Sequence, residues 1–166
     1  MNNVYIVGFM GTGKTTVGKG ISARTGRDFK DLDDLIEERE NKKISDIFFE
    51  HGEEYFRRVE SEVIADVARQ SDLVIATGGG AVMDSTNYQN LKKSGVLITL
   101  AASPETVYER VKNSSHRPLL NVPNPLEEIK RLMFERAYHY VKSDYIIDTT
   151  DKSVDEVVEE ILGFIK

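Results

Sequence analysis

The sequence predicts an α/β fold: a three-layer α/β/α domain with a parallel sheet covered by helices on both faces. Two observations carry this. Short β-rich runs alternate with longer helical patterns about five times along the 166 residues, and no pair of runs is joined by a hairpin turn signal. The runs themselves, such as Val4–Val7, are apolar throughout, as strands buried on both faces are. The length fits one domain, spanning residues 1–166.

The elements follow in order. Val4–Val7 is a buried strand ended by glycines, and Thr15–Thr25 is a helix with Val17 and Ile21 one turn apart and Gly26 as its stop. Phe29-Lys30 is a short strand that enters an acidic turn, Asp31-Leu32-Asp33-Asp34. Helical patterns run through Leu35–Arg39, Ser45–Glu50 and Glu53–Arg69, with Gly52 dividing the last two. In the third, Phe56, Val59, Val63 and Val67 keep one apolar stripe. Leu73–Ala76 is a strand cut off by Gly78-Gly79-Gly80.

Asp84–Ser94 is helical, and Val96–Leu100 is the next strand. Ser103-Pro104 opens another helix as N-cap and first helical residue. Asn113–Asn124 is polar, carries two prolines and reads as a lid. Pro125–Val141 is a helix and Tyr145–Ile147 the last strand. Ser153 and Glu156 then form a capping box before Val157, Val158, Ile161 and Leu162. Ligands of such sheets bind outside the carboxyl ends of the strands. That rule brings the Gly8 loop, Asp31–Asp34, Gly78–Gly80 and the end of Leu100 to one edge.

Composition excludes several classes. With 22 basic and 28 acidic residues the chain carries −6, which argues against nucleic acid or an anionic membrane as partner. The absence of cysteine removes disulfides, a thiolate nucleophile and sulfur-ligated zinc. No apolar stretch approaches the ~20 residues of a membrane span, so a cytoplasmic protein is expected. His51, His116 and His139 are scattered without ligand spacing, and Tyr138 and Tyr140 read as packing residues.

The strongest motif is Gly8-Phe-Met-Gly-Thr-Gly-Lys-Thr15, which satisfies G-x-x-x-x-G-K-[ST] between a strand and a helix. Glycines at 8, 11 and 13 let backbone N–H groups turn toward phosphate oxygens at a helix N-terminus. Lys14 is placed to reach the β- and γ-phosphates and the Thr15 hydroxyl to ligate Mg²⁺, so a nucleoside triphosphate is expected here. Phosphate binding alone leaves GTPase, motor, nucleotide kinase and small-molecule kinase open. Asp31 and Asp33 follow the second strand, where carboxylates hold a metal-bound water, accept a hydroxyl proton, or merely complement a helix dipole. Arg57 sits beside an apolar stripe with Glu60 three residues on to fix it, and Arg136 falls in register with the apolar positions of its helix. Inward arginines call for an anion. Gly78–Gly80 is a second place for backbone to approach a ligand.

Taken together, GFMGTGKT at 8–15, DLDDLIE at 31–37, FRRVE at 56–60, TGGGAV at 77–82, RPLL at 117–120 and the Arg136 helix before IIDT at 146–149 resemble the shikimate kinases. The resemblance implies a five-stranded sheet of the P-loop type, with a substrate-binding region over about 31–62 and a lid over about 112–124. It implies transfer of the ATP γ-phosphoryl to the 3-hydroxyl of shikimate, with Mg²⁺ required and a monomer acting on small molecules. By the same resemblance, Gly11, Thr12, Gly13, Lys14, Thr15 and Thr16 line the phosphates and Arg110 lies near adenine. Thr15 and Asp31 serve the metal, the latter through water, and Asp33 binds the hydroxyls as candidate general base. Arg57 and Arg136 clamp the substrate carboxylate beside Gly78, Gly79 and Gly80, while Lys14 and Arg117 neutralise the transferring phosphoryl group. The alternative is a kinase of another small hydroxy acid or sugar acid, such as gluconate.

Overall fold

Five strands form one parallel sheet in a computed structural model that describes residues 2–114 and 120–165. They are β1 (Asn3–Gly8), β2 (Asp28–Asp31), β3 (Leu73–Ala76), β4 (Gly95–Ala101) and β5 (Tyr145–Asp148), in the order β2-β3-β1-β4-β5. The helices among the described residues are α1 (Lys14–Thr25), α2 (Leu32–Glu40), α3 (Ile44–Val67), α4 (Ser85–Ser94), α5 (Pro104–Val111), α6 (Pro125–Tyr140) and α7 (Val154–Phe164). A single 3₁₀ turn, Ala81–Met83, joins the glycine run to α4. The α/β expectation is met.

The period-2 geometry of a strand divides the core in two. Val4 and Ile6 of β1 face α1 and α7, packing with Val17, Ile21, Val157, Val158 and Ile161. Tyr5 and Val7 face the opposite layer, where Ile36, Ile64, Leu91, Val107 and Ile129 come from α2 through α6. The chain leaves β1 toward one face, into α1, and leaves β3 toward the other, into α4. The carboxyl ends of these neighbouring strands are therefore the topological switch point, where an open α/β sheet forms its crevice.

Element ends differ from the sequence expectation in ways that matter for the site. Helix α2 begins at Leu32, three residues early, because Asp31 is its N-cap and accepts the Asp33 N–H at 3.0 Å. The acidic segment is thus a helix start rather than a free turn, and Asp33 stands in its first turn. Gly52, at φ 82° and ψ 176°, breaks α3 where the sequence divides it. Helix α4 starts at Ser85 because the Asp84 side chain caps it. Tyr138 was expected to pack and instead is exposed, while Tyr140 is buried.

Candidate active site

Helices α1 and α3 start without a side-chain cap from their own N-cap residue, and at α3 the Glu37 carboxylate takes the Ile44 N–H at 3.0 Å instead. Asp31, Asp84, Ser103, Asn124 and Ser153 cap α2, α4, α5, α6 and α7 with their own side chains. Gly13 gives α1 no such cap, and its first turn carries no acid. The leading N–H groups and the positive dipole end therefore face out of the loop, as an anion requires. The loop curls because Gly11 (φ 73°) and Gly13 (φ 91°) adopt left-handed backbone that other residues resist. The Lys14 Nζ donates to the Phe9 carbonyl at 2.9 Å, and the Thr12 hydroxyl donates to the same oxygen at 2.8 Å. Thr16 is exposed on the first turn of α1.

At the mouth of this loop the Thr15 hydroxyl donates to Asp31 Oδ2 at 2.8 Å. A hydroxyl beside a carboxylate is the oxygen set a hard divalent cation takes, with phosphates and water completing the shell. The Arg110 guanidinium donates to Gly11 O at 3.1 Å and to Thr149 O at 3.2 Å, tying the loop to the segment after β5. Arg117 lies outside the described residues.

The second half of the site is built on the turn after β3. A Cβ placed on Gly78 would stand 3.3 Å from Asp33 Oδ1 and 3.0 Å from Glu60 Oε2. One on Gly79 would stand 3.3 Å from Arg136 Nη1, and one on Gly80 would stand 2.6 Å from Arg57 Nη2. Side chains from α2, α3 and α6 therefore converge on three adjacent glycines. Beside them runs the phosphate loop: the Gly79 Cβ position is 3.7 Å from the Met10 N.

The electrostatics of this convergence are uneven. Arg57 Nη1 donates to Glu60 Oε1 at 2.8 Å, and Glu60 is only 1% exposed. Burial pushes the Glu60 carboxyl up from its usual range, with Arg57 and Arg136 opposing. Burial likewise works against the Arg57 charge, but Glu60 and Glu53 outweigh it, so the guanidinium stays ionised. Arg136 lies over the Phe9 ring, 5.7 Å from its centroid, which connects the cation to the phosphate loop. Two cations, the Asp33 carboxylate and close backbone, with Glu60 holding Arg57, can hold a small acid with neighbouring hydroxyls next to a polyphosphate.

A family model described as shikimate kinase matches residues 10–166. The chain belongs to the shikimate kinase family. A shikimate kinase of Thermoanaerobacter pseudethanolicus is 44% identical over 162 residues, covering 98% of this chain and 95% of that one. The solved shikimate kinase of Acinetobacter baumannii in complex with shikimate matches with a TM-score of 0.96 at 36% identity, covering 99% and 93% of the two chains. That of Aquifex aeolicus matches with a TM-score of 0.85 at 39% identity, covering 96% and 94%.

Within this family fold, the structure gathers Asp33, Arg57, Gly78–Gly80 and Arg136 around one turn, and Lys14, Thr15 and Asp31 around the neighbouring loop. Two residues at the site escaped the sequence reading. The Phe9 ring seats Arg136, and the Tyr140 hydroxyl donates to the Gly79 carbonyl. The available signal was helical spacing, since Tyr140 lies one turn beyond Arg136 on the same helix.

Proposed function

We propose that this chain is a shikimate kinase that transfers the γ-phosphoryl of ATP to the 3-hydroxyl of shikimate with Mg²⁺, in the route to chorismate and the aromatic amino acids. The observation that carries this reading is the convergence of Asp33, Arg57 and Arg136 on Gly78–Gly80 beside the phosphate loop.

The two guanidinium groups pin the acid's carboxylate, and the amides of the glycine turn come close enough to contact it. Asp33 receives the ring hydroxyls. The 3-hydroxyl oxygen forms the new bond to the γ-phosphorus while the bond from that phosphorus to the β,γ-bridging oxygen breaks and ADP leaves. The hydroxyl proton passes to the Asp33 carboxylate. Lys14, with Arg117 from outside the described residues, offsets the charge spread over the transferring group. Thr15 and Asp31 would hold the Mg²⁺, which when bound supplies further charge neutralisation at the phosphates. Arg110, joined to both Gly11 and Thr149, lies along the route to the base, and we place adenine on that side.

The enzyme acts on small molecules, as a single-domain cytoplasmic monomer in this reading. Its −6 charge disfavours nucleic acid and anionic membranes, and among the described residues no helix is long and apolar enough to cross a membrane. Gluconate is the less suited acceptor, because two cations and a carboxylate fixed around one turn match a rigid ring acid better than a flexible chain. A coupled assay of ADP release, with shikimate, gluconate and nucleoside monophosphates offered separately, tests the choice. Turnover with shikimate at least a hundredfold above the others is expected. Comparable turnover with gluconate would move the function to that acid.

Gly80→Ala isolates the carboxylate clamp. Gly80 has φ −103°, which any residue adopts, so the substitution acts through space rather than strain. The new methyl would meet the Arg57 guanidinium at 2.6–2.9 Å and displace it. Shikimate affinity by calorimetry should fall by about tenfold or more, roughly 1.4 kcal/mol, with ATP affinity unchanged. Unaltered shikimate affinity would remove Arg57 from the clamp.

A further inference from the structure

We infer that Tyr140 is a positioning residue that holds the Gly79–Gly80 peptide in the orientation the acid-binding turn needs; the inference rests on the shikimate kinase reading and adds a residue to its site.

The carbonyls of this turn are all engaged by protein. Ala81 N donates to Gly78 O at 3.2 Å, Met83 N donates to Gly80 O at 3.1 Å, and Asn87 Nδ2 donates to Ala81 O at 3.2 Å. Gly79 O, the remaining acceptor, takes the Tyr140 hydroxyl. By contrast, the N–H groups of Gly78, Gly79 and Gly80 donate to no protein acceptor among the described residues. The turn therefore gives its acceptors to the scaffold and keeps its donors for something else.

A glycine–glycine peptide does not hold such a polarity by itself. With no Cβ on either side, rotation of the plane meets little steric resistance. In a trans peptide the C=O and the next N–H point in opposite directions. A flip would thus put the Gly79 oxygen where the Gly80 donor stands, and an oxygen there repels a carboxylate. The phenol bond selects one orientation.

Tyr140 is well fixed for the task. It ends α6, its side chain is buried, and its own carbonyl accepts from the Thr99 hydroxyl of β4 at 3.1 Å. Burial pushes the phenol up from its ordinary range, with Arg136 and Arg57 opposing, so it keeps the proton it donates. Arg136, one helical turn earlier, reaches the same Gly79. One helix end thereby sets both a clamp cation and the backbone beside it.

Tyr140→Phe in the full chain tests this, because it removes one oxygen and keeps the ring. KM for shikimate should rise about tenfold, with kcat within about twofold and ATP affinity unchanged. The Gly80 amide resonance, shifted by shikimate in the parent, should respond weakly in the variant. Val158→Ala, in the core layer between the sheet and α7, controls for general loss of stability: it should lower Tm and leave KM as in the parent. An unchanged KM in Tyr140→Phe, or a joint loss in KM, kcat and ATP affinity, would overturn the positioning role. A parent without shikimate turnover would instead reject the functional reading, and the inference with it.

Discussion

Asp33→Asn is expected to lower phosphoryl transfer by about a thousandfold while the nucleotide still binds. The magnitude follows from general-base catalysis, which contributes roughly 10²–10⁴ in rate. The side chain keeps its size and part of its hydrogen-bonding capacity but can no longer take the hydroxyl proton. Local structure should survive, because the contact that starts α2 is made by the Asp33 backbone N–H to Asp31 Oδ1 and not by the Asp33 carboxylate. Single-turnover quench-flow gives the chemical step, and titration with a fluorescent ATP analogue gives nucleotide affinity. A transfer rate within tenfold of the parent would leave Asp33 as a hydroxyl ligand without a proton role.

Lys14→Met should cost about 3 kcal/mol of transition-state stabilisation, a loss of roughly a hundredfold or more in kcat. Methionine follows the lysine stem but carries no charge to meet the phosphoryl oxygens as they leave the β-phosphate. In this structure the Lys14 ammonium donates to the Phe9 carbonyl, inside the same loop proposed to wrap the phosphates. Shikimate affinity, measured without nucleotide, should stay as in the parent, since the cations proposed for the acid come from α3 and α6. Steady-state kinetics with calorimetry separate the two. A kcat within tenfold of the parent would contradict the phosphate-loop assignment.

What could be read from sequence, and what could not, divides along the range of the interactions. The phosphate loop was legible because its glycines, its lysine, the strand before it and the helix after it are contiguous in the chain. Arg136 was legible as inward because a charge in register with Ile129 and Met133 has to find an anion or leave the core. Glu60 was legible as the partner of Arg57 because three residues span one helical turn, and the two bond at 2.8 Å. The start of α2 was misplaced because Asp31, Asp33 and Asp34 read equally as turn and as helix start, and only the side-chain bond from Asp31 decides. Tyr138 and Tyr140 were alike in sequence. The bond that distinguishes them crosses 61 positions to Gly79, a separation on which periodicity is silent. The seat of Arg136 on Phe9 escaped for the same reason.

The most direct test of the account is a crystal structure of the chain with ADP and shikimate bound together. The carboxylate is expected between Arg57 and Arg136, a ring hydroxyl on Asp33, and the ring against Gly78–Gly80, with the diphosphate wrapped by residues 11–16. Shikimate seated elsewhere, with those three side chains making no contact to it, would contradict the account.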